Sequence, residues 1–247
     1  MEKIATEILR RKFSIDATQF QIEEVEIYHE DDPYTHGHPS QLQVPSDRWY
    51  FHRASKKTDA KYKGGSFKGV DITFPGGGCL VRSISILPGK KYPKGIFIEG
   101  PCRVVEWLLE EAGCSDIEDF DIKNGLKVKG KLVTYEKGDG VYDDYIVSGP
   151  RVGLGYFPDD LEKYKTVFAP LRFCSKEMLK HITKYKSLMN MCPSNSEKGL
   201  GVLDSWKSAF DKDYDEETKP KSVAQWLSAY GTWLRYRKEE LKRKDLF

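Results

Sequence analysis

The sequence has no apolar run that approaches the roughly 20 residues needed to cross a bilayer as a helix. Its first residues, MEKIATEILRRKF, also lack the uninterrupted apolar stretch of a secretory signal peptide. Both absences predict an intracellular protein that makes no membrane contact. The five cysteines form no CxxC pair and leave an odd one over. This favours reduced thiols over a disulfide framework or a structural zinc site.

The net charge of the whole chain is small, but positive charge is concentrated in one part of it. The net charge is only +2 for 247 residues. Between residues 45 and 100, however, eleven Lys and Arg face four Asp and Glu. The stretch RASKKTDAKYKGGSFKG carries six of these cations together with three glycines and aromatic residues. We name it the basic segment, residues 53–69. It is suited to binding phosphates, although a solvated lysine-rich loop is the alternative.

The secondary-structure pattern changes once along the chain. Helical spacing predicts a first helix over residues 3–12, and GPCRVVEWLLEEAG predicts another that begins at Pro101. Alternating or apolar stretches predict strands, namely FQIEEVEIY, GVDITF, CLVRSISIL, GIFIE, LKVKGKLVTY and YIVSG. We therefore predict an α+β domain over residues 1–174, with a mostly antiparallel curved sheet or open barrel and surrounding helices. Residues 175–247 are predicted to form a helical C-terminal extension, which docks on the domain or binds a partner or DNA.

Two charged residues occupy strand positions that otherwise carry apolar side chains. Strict alternation places Glu26 on the same face as Phe20 and Ile22, and places Arg82 on the face of Leu80, Ile84 and Ile86. A buried guanidinium needs a partner, because an unpaired buried ion costs several kcal/mol, on the order of 3–5. We predict that Glu26 is this partner. An Arg neighbour favours the ionised carboxylate that a general base requires; a buried salt bridge without chemistry is the alternative.

The stretch EEVEIYHEDDPYTHGH contains three of the five histidines and a dense group of carboxylates. His36 and His38, with oxygens from Glu30, Asp31 or Asp32, are candidates for a metal site. Against this, DDPY is an ordinary turn sequence and no HExxH motif is present. A metal-dependent hydrolase therefore stays an alternative, and we predict no metal.

Six short motifs occur in an order typical of one enzyme family. They are EVEIYHEDDPYTHGH, GVDI, LVRSI, GPCRVVEWL, GPRVGLGYF and APLRF, which lie between the N-terminal helix and Phe173. In this order the chain resembles the single-domain alkyladenine (3-methyladenine) DNA glycosylases. The resemblance implies a curved antiparallel sheet, a substrate of double-stranded DNA with a modified base, and no cofactor. The extension after Phe173 has no counterpart in that family.

The resemblance also implies roles for individual residues. Glu26 matches the general base that activates water, while Arg82 and the backbone of Val152 match the groups that orient the water. Tyr28 and His36 match residues of the pocket for the flipped base. Asp71 stands where the family usually has Asn, which changes the base edge that the pocket accepts.

In the basic segment the family's DNA-contacting tyrosines have no direct match. The places of the inserted Tyr and of the Tyr that packs on the base fall near Gly64 and Lys61. Lys63 adds a cation between them, and Tyr62 or Phe67 is the candidate wedge. We therefore assign DNA contact to these five positions.

Cutting an N-glycosidic bond passes through an oxocarbenium-like sugar, which a nearby carboxylate stabilises while it activates water. We predict a monomeric, monofunctional DNA glycosylase that leaves an abasic site. A glycosylase for a bulky base of foreign DNA that is not an alkylpurine and a non-catalytic DNA-binding relative are the alternatives.

Overall fold

The protein is described from a computed structural model, which covers residues 1–137, 146–149, 151, 154, 166, 169 and 171–175. The chain divides into two compact units, Met1–Tyr142 and Asp143–Phe247. The described part of the first unit has four α-helices: α1 (Glu2–Leu9), α2 (Pro39–Leu42), α3 (Pro101–Glu111) and α4 (Ile117–Asn124). Its strands are β1 (Arg11–Ile15), β2 (Thr18–His29), β3 (Trp49–Phe51), β4 (Val70–Phe74), β5 (Gly77–Ile86), β6 (Ile96–Glu99) and β7 (Val133–Lys137).

The strands of the first unit form a curled antiparallel sheet in the order β3-β4-β5-β2-β1-β7. β2 pairs with β5 along its length, so the other edge of β5 is shared between two strands. β4 pairs with Gly77–Leu80 and β6 pairs with Ser83–Ile86. The α+β class and the antiparallel curved sheet are therefore confirmed. Arg82 lies at the point of β5 where its pairing partner changes from β4 to β6.

The core lies on one surface of this sheet. Phe20 stacks on Phe13 with ring centroids 5.1 Å apart, and it meets Trp107 of α3 edge-on at 5.0 Å. Phe51 meets Phe120 of α4 in the same manner at 5.4 Å. Aromatic pairs of this geometry contribute about 0.5–1.5 kcal/mol beyond the burial of their area.

The predicted first helix is too long at its C-terminal end. α1 ends at Leu9, because Arg11 and Lys12 already belong to β1 and pair with β7. β1, β3 and α4 were not predicted from the sequence. The predicted strand LKVKGKLVTY exists only in its last part, since residues 126–132 run without regular pairing apart from a single bridge at Lys127.

The second unit is described at a few positions. β8 (Ile146–Gly149) and β9 (Arg172–Ser175) pair antiparallel, from Ile146 with Ser175 to Gly149 with Arg172. Ser175, predicted to open the helical extension, is the last residue of β9. The rest of that extension, residues 176–247, lies outside the described residues. Within the described part of the chain, no helix is both long and apolar enough to cross a membrane.

Candidate active site

A row of four side chains crosses the strands at the centre of the sheet. Residues that face each other on antiparallel strands project from the same side of a sheet. Glu26 lies opposite Leu80, and Leu80 lies opposite Asp71. Asp71 in turn lies opposite Tyr50. We call these four residues the cross-strand row. Glu26 and Asp71 are 0% exposed, so the fold buries two carboxylates on one surface of its sheet.

An irregularity in the pairing of β2 and β5 determines which surface of the sheet carries the cross-strand row. The register shifts between Ile22 and Glu24 and again between Glu24 and Val25. Val81 and Ile84, three residues apart, line the same apolar void beside α3, so strict alternation is reset between them. The prediction that Arg82 shares a face with Ile84 and Ile86 is therefore wrong.

The same reset corrects the face predicted for Glu26. Phe20 and Ile22 line the apolar void together with Val81. Leu80, which precedes Val81, points to the opposite surface, and its partner Glu26 points there with it. Glu26 therefore does not share a face with Phe20 and Ile22. The pairing irregularity turns the cross-strand row away from the core.

Glu26 and Arg82 form the predicted pair. Arg82 Nη1 donates a hydrogen bond to Glu26 Oε2 at 3.2 Å, and the Tyr28 hydroxyl donates to the same oxygen at 3.0 Å. Arg82 Nε also lies 3.4 Å from Glu24 Oε1, while Ser83 Oγ donates to Glu24 Oε2 at 2.7 Å. The guanidinium thus contacts two buried carboxylates. Tyr28 also contacts one of them, Glu26, which the resemblance assigns as the general base.

Arg82 stays charged although its side chain is largely buried. Burial lowers the pKa of the Arg82 guanidinium, but the neighbouring Glu26 and Glu24 charges outweigh this and raise the pKa above its ordinary value. The Arg82 side chain is only 18% exposed. A cation that stays charged between two carboxylates fixes the position of both.

Asp71 is held by two donors from other elements. Gln41 Nε2 donates to Asp71 Oδ2 at 2.6 Å, and His52 Nε2 lies 2.7 Å from Asp71 Oδ1. The carboxylate extends over Gly78 of β5, where a Cβ atom would lie 2.6 Å from Asp71 Oδ2. Only glycine leaves room for this arrangement, so Gly78 is required for the position of Asp71.

Four aromatic rings pack together at the β3 end of the row, and one of them is Tyr50, the last member of the row. We name Tyr50, His36, His38 and His52 the ring cluster. The closest pair of centroids, His36 and His52, is 5.4 Å apart, and the other contacts fall between 5.7 and 5.8 Å. His36 Nδ1 is hydrogen-bonded to the Tyr50 hydroxyl. Burial raises the pKa of Tyr50, with a further contribution from Asp71, so Tyr50 stays protonated and can donate to His36.

We expect the His36 imidazole to stay neutral until the pH falls to about 4. Burial lowers the pKa of His36 from 6.5 to about 4, assisted by His52 and Lys63. The unfolded chain then binds the proton more readily than the folded one. Stability contributed by this group is complete above pH 6.5 and is lost as the pH falls toward 4. NMR titration of the imidazole nitrogens measures the first effect.

The second effect is checked by unfolding as a function of pH. His36→Asn should flatten the loss of stability between pH 6.5 and 4. The control for the substitution itself is His29→Asn, at an imidazole outside the ring cluster. A His36 resonance that titrates near pH 6.5 would contradict the assignment.

His38 and the turn formed by DDPY, residues 31–34, stabilise the local fold. His38 Nδ1 accepts from the backbone N–H of Ser40 at 3.0 Å and begins α2, and its Nε2 lies 2.9 Å from the Lys57 carbonyl oxygen. Both ring nitrogens are thus engaged with the backbone, which disfavours the alternative in which His38 binds a metal. No group of three His, Cys, Asp or Glu side chains suited to a metal occurs among the described residues. Asp32 is 4% exposed and accepts from the Tyr34 N–H, so it fixes the turn rather than facing solvent.

The basic segment folds back onto the end of β3. Lys63 N–H donates to the His52 carbonyl at 2.8 Å, and Arg53 forms a bridge with Tyr62. The Arg53 guanidinium covers the Tyr62 ring at 3.5 Å, and Phe51 meets the same ring edge-on. Tyr62 is therefore packed into the protein, unlike a wedge that is ready to insert.

Phe67 is in the opposite situation. It ends a single 3-10 turn, Gly65–Phe67, and its side chain is 77% exposed. Lys68 Nζ donates to Glu106 of α3 at 2.9 Å, and Cys102 Sγ donates to the Gly65 carbonyl at 3.2 Å. The turn is thereby tied to α3 on both sides of Phe67. Lys61 and Gly64 of the basic segment are also exposed.

Sequence reasoning missed three residues of this site: Gln41, Tyr50 and His52. The alternation in WYFH was the available signal, because Trp49 and Phe51 are buried in the core while Tyr50 and His52 take the other face. Val152, assigned by resemblance to orient water, lies outside the described residues.

Comparison with known proteins places the chain beside a viral relative. No family model matches it. It is 30% identical over 167 residues to an uncharacterized protein of Acanthamoeba polyphaga mimivirus, and the match covers 56% of this chain and 70% of that protein. This chain belongs to the family of that viral protein. The relative is described without an activity, so membership of the family brings no function to this chain.

Proposed function

We propose that this protein is a monofunctional DNA glycosylase that hydrolyses the N-glycosidic bond of a flipped, modified base and leaves an abasic site. The observation that carries the proposal is the fully buried Glu26 carboxylate, which accepts hydrogen bonds from Arg82 and Tyr28. A carboxylate this deeply buried needs strong partners or a task, because burying a charge is costly. Its substrate would be double-stranded DNA inside the cell, bound by a monomer.

The surroundings of Glu26 suit the reaction. Hydrolysis at C1′ develops positive charge on the sugar and needs a deprotonated water. The Glu26 carboxylate carries the negative charge that opposes positive charge developing on a sugar placed beside it. Arg82 and Tyr28 hold Glu26 in place, which lets the carboxylate accept the proton of water without reorienting.

The base would enter next to the ring cluster. Leu80 lies between Glu26 and Asp71 in the cross-strand row, and neighbouring strands are about 4.8 Å apart. An apolar floor flanked by a carboxylate on one side and by imidazole and phenol rings on the other fits a flipped base, which enzymes hold by stacking and by hydrogen bonds to its edge.

The basic segment supplies the contact with the duplex. Its cations neutralise phosphates, and Phe67 projects from a turn braced on α3. Proteins that unstack DNA insert apolar side chains between base steps. We therefore assign the wedge to Phe67 and not to Tyr62, whose ring is already covered by Arg53.

We expect Phe67→Ala to reduce base release from duplex DNA about 10-fold, since a wedge offsets only part of the cost of unstacking, which is about a few kcal/mol per step. Release from single-stranded DNA, where no unstacking is needed, should change little. The measurement is single-turnover release on matched duplex and single-stranded substrates. Ile122→Ala is the control, because Ile122 is 79% exposed on α4. An equal loss on both substrates would remove Phe67 from this role.

The proposal is tested by incubating the protein with duplexes that carry a panel of modified bases, with and without a chelator. Base release that is indifferent to the chelator, with strands that stay intact until treated with alkali, supports a monofunctional glycosylase. Tight binding without release would favour the non-catalytic relative, and loss of release on chelation would favour a metal-dependent hydrolase. Release restricted to large substituents would point to the bulky-base alternative.

A further inference from the structure

Glu106 of α3 places a negative charge beside the basic segment. Its Oε1 accepts from Lys68 Nζ at 2.9 Å and from Cys102 Sγ at 3.5 Å. Lys68 directly follows Phe67 in the chain. A negative charge next to a surface that binds phosphates repels DNA, so the position of Glu106 calls for a role other than binding the duplex.

The geometry of α3 brings Glu106 and Cys102 to the same part of the basic segment. Residues four apart lie on one face of a helix. On this face Cys102 Sγ donates to the Gly65 carbonyl, and Glu106 accepts from Lys68. The 3-10 turn Gly65–Phe67 is therefore held on α3 at both of its ends.

The opposite face of α3 is fixed in the protein. Val105 and Leu108 are buried in the core. The helix also begins beside the strand that carries Arg82, because the Gly100 N–H donates to the Arg82 carbonyl at 2.8 Å. One helix thus connects the turn of Phe67 with the strand of the Arg82 guanidinium.

A firm connection of this kind suits a wedge. A side chain on a loosely held loop loses conformational freedom when it enters the duplex, and this loss opposes unstacking. The ion pair orders the turn before DNA is bound. The Lys68 side chain is only 20% exposed in this contact, and its hydrogen bond lowers the pKa of Glu106, so both partners are charged at neutral pH.

We propose that Glu106 is a positioning residue, which holds the turn of the basic segment on α3 so that Phe67 enters the duplex at a set distance from Glu26. The inference rests on the proposed glycosylase function. It also separates the roles of two cations of the basic segment. Lys68 is engaged by Glu106 and orders the wedge, while the exposed Lys61 faces solvent and can contact phosphates.

Glu106→Gln distinguishes this role from simple electrostatics, because the two predict opposite effects. Loss of a negative charge near phosphates should leave the binding of unmodified duplex unchanged or make it tighter. Loss of the ion pair should lower single-turnover base release from duplex DNA about 3-fold at saturating protein, an amount that a partly exposed ion pair can contribute. Release from the same sequence as a single strand should change little. The substrates carry whichever base of the panel the unchanged protein releases fastest.

The matched control is Glu110→Gln. Glu110 lies one helical turn beyond Glu106 on the same face of α3 and is exposed. The variant therefore removes the same charge from the same helix. It should leave the ratio of duplex to single-strand release unchanged.

An exchange of charges tests the contact itself. Lys68→Glu and Glu106→Lys each place like charges side by side, so each should slow release from duplex DNA more than Glu106→Gln does. The double variant restores an ion pair and the net charge of the unchanged protein. It should release the base faster than either single variant. Losses that simply add in the double variant would show that the two residues act independently, which overturns the inference.

Hydrogen exchange reports on the turn in the free protein. The Phe67 N–H donates to the Gly64 carbonyl at 3.2 Å. Its exchange should accelerate in Glu106→Gln, because a turn that is held less firmly opens more often. The same amide should keep its exchange rate in Glu110→Gln.

Three further outcomes overturn the inference while the proposed function stands: an equal loss of release on duplex and single strand in Glu106→Gln, no loss on either substrate, or an unchanged exchange rate at Phe67. Failure of the unchanged protein to release any base overturns the proposed function, and the role of Glu106 with it.

Discussion

Replacing Glu26 with Gln is expected to lower base release by on the order of 10³-fold, the middle of the range for loss of a general base. Gln keeps the size of the side chain and can still accept from Arg82 and Tyr28 through its carbonyl oxygen. It cannot take a proton from water or oppose positive charge on the sugar. Binding of a lesion-bearing duplex should therefore persist, so that the variant traps the complex. Single-turnover release and a binding titration measure the two properties.

Glu24→Gln is the matched comparison for this variant. Glu24 is as buried as Glu26, at 1% exposure, and contacts the same guanidinium. If the roles differ as we infer, its replacement should cost much less activity than the replacement of Glu26. If the Glu26→Gln protein retained more than about a tenth of the activity, the general base would have to be another residue, given the usual contribution of such groups.

Replacing Arg82 with Met is expected to have the largest effect on stability. The guanidinium lies between two carboxylates that are almost fully buried. Removing one partner of a buried ion pair costs about 3–5 kcal/mol, because the remaining charges stay desolvated. We expect about 3 kcal/mol, the lower limit of that range, since Arg82 is 18% exposed. Denaturant unfolding at neutral pH measures the loss.

The double variant Arg82→Met with Glu24→Gln isolates the cause. It removes one of the two buried carboxylates that lose the guanidinium, so part of the lost free energy of unfolding should return. If the double variant is less stable than the single one by the full effect of Glu24→Gln alone, the two sites are independent. The ion-pair account of Arg82 would then be wrong.

Part of the site could be predicted from residue types alone. An Arg in an apolar strand needs a carboxylate, and the strand with alternating Glu residues was the natural source, so the contact between Arg82 and Glu26 followed. The antiparallel sheet and α3 followed from alternation and from the helical stripe after Pro101. These inferences use the most local rules of chain geometry.

The faces of β2 and β5 could not be obtained from strict alternation. Apolar residues change phase from Phe20 and Ile22 to Val25 and Ile27, and again between Val81 and Ile84. A spacing of three between core residues on both strands was the available sign of a bulge. His52 was missed for a different reason: β3 is only three residues long, too short for a period to stand out from the surrounding loop.

The paired irregularity also protects the fold from a pairing error. In a regular pair of strands, a slip by one residue exchanges all inward and outward side chains at once. Here the alternation of inward and outward side chains is interrupted in both strands at the same place. In a slipped pairing the two interruptions would no longer face each other, so part of one strand would turn its side chains to the wrong surface of the sheet. It would also push Glu24, Glu26 or Arg82 into the apolar void beside Trp107. Of these alignments, the observed one keeps Glu24, Glu26 and Arg82 out of the apolar void, so these three charged residues also favour the correct pairing of the strands.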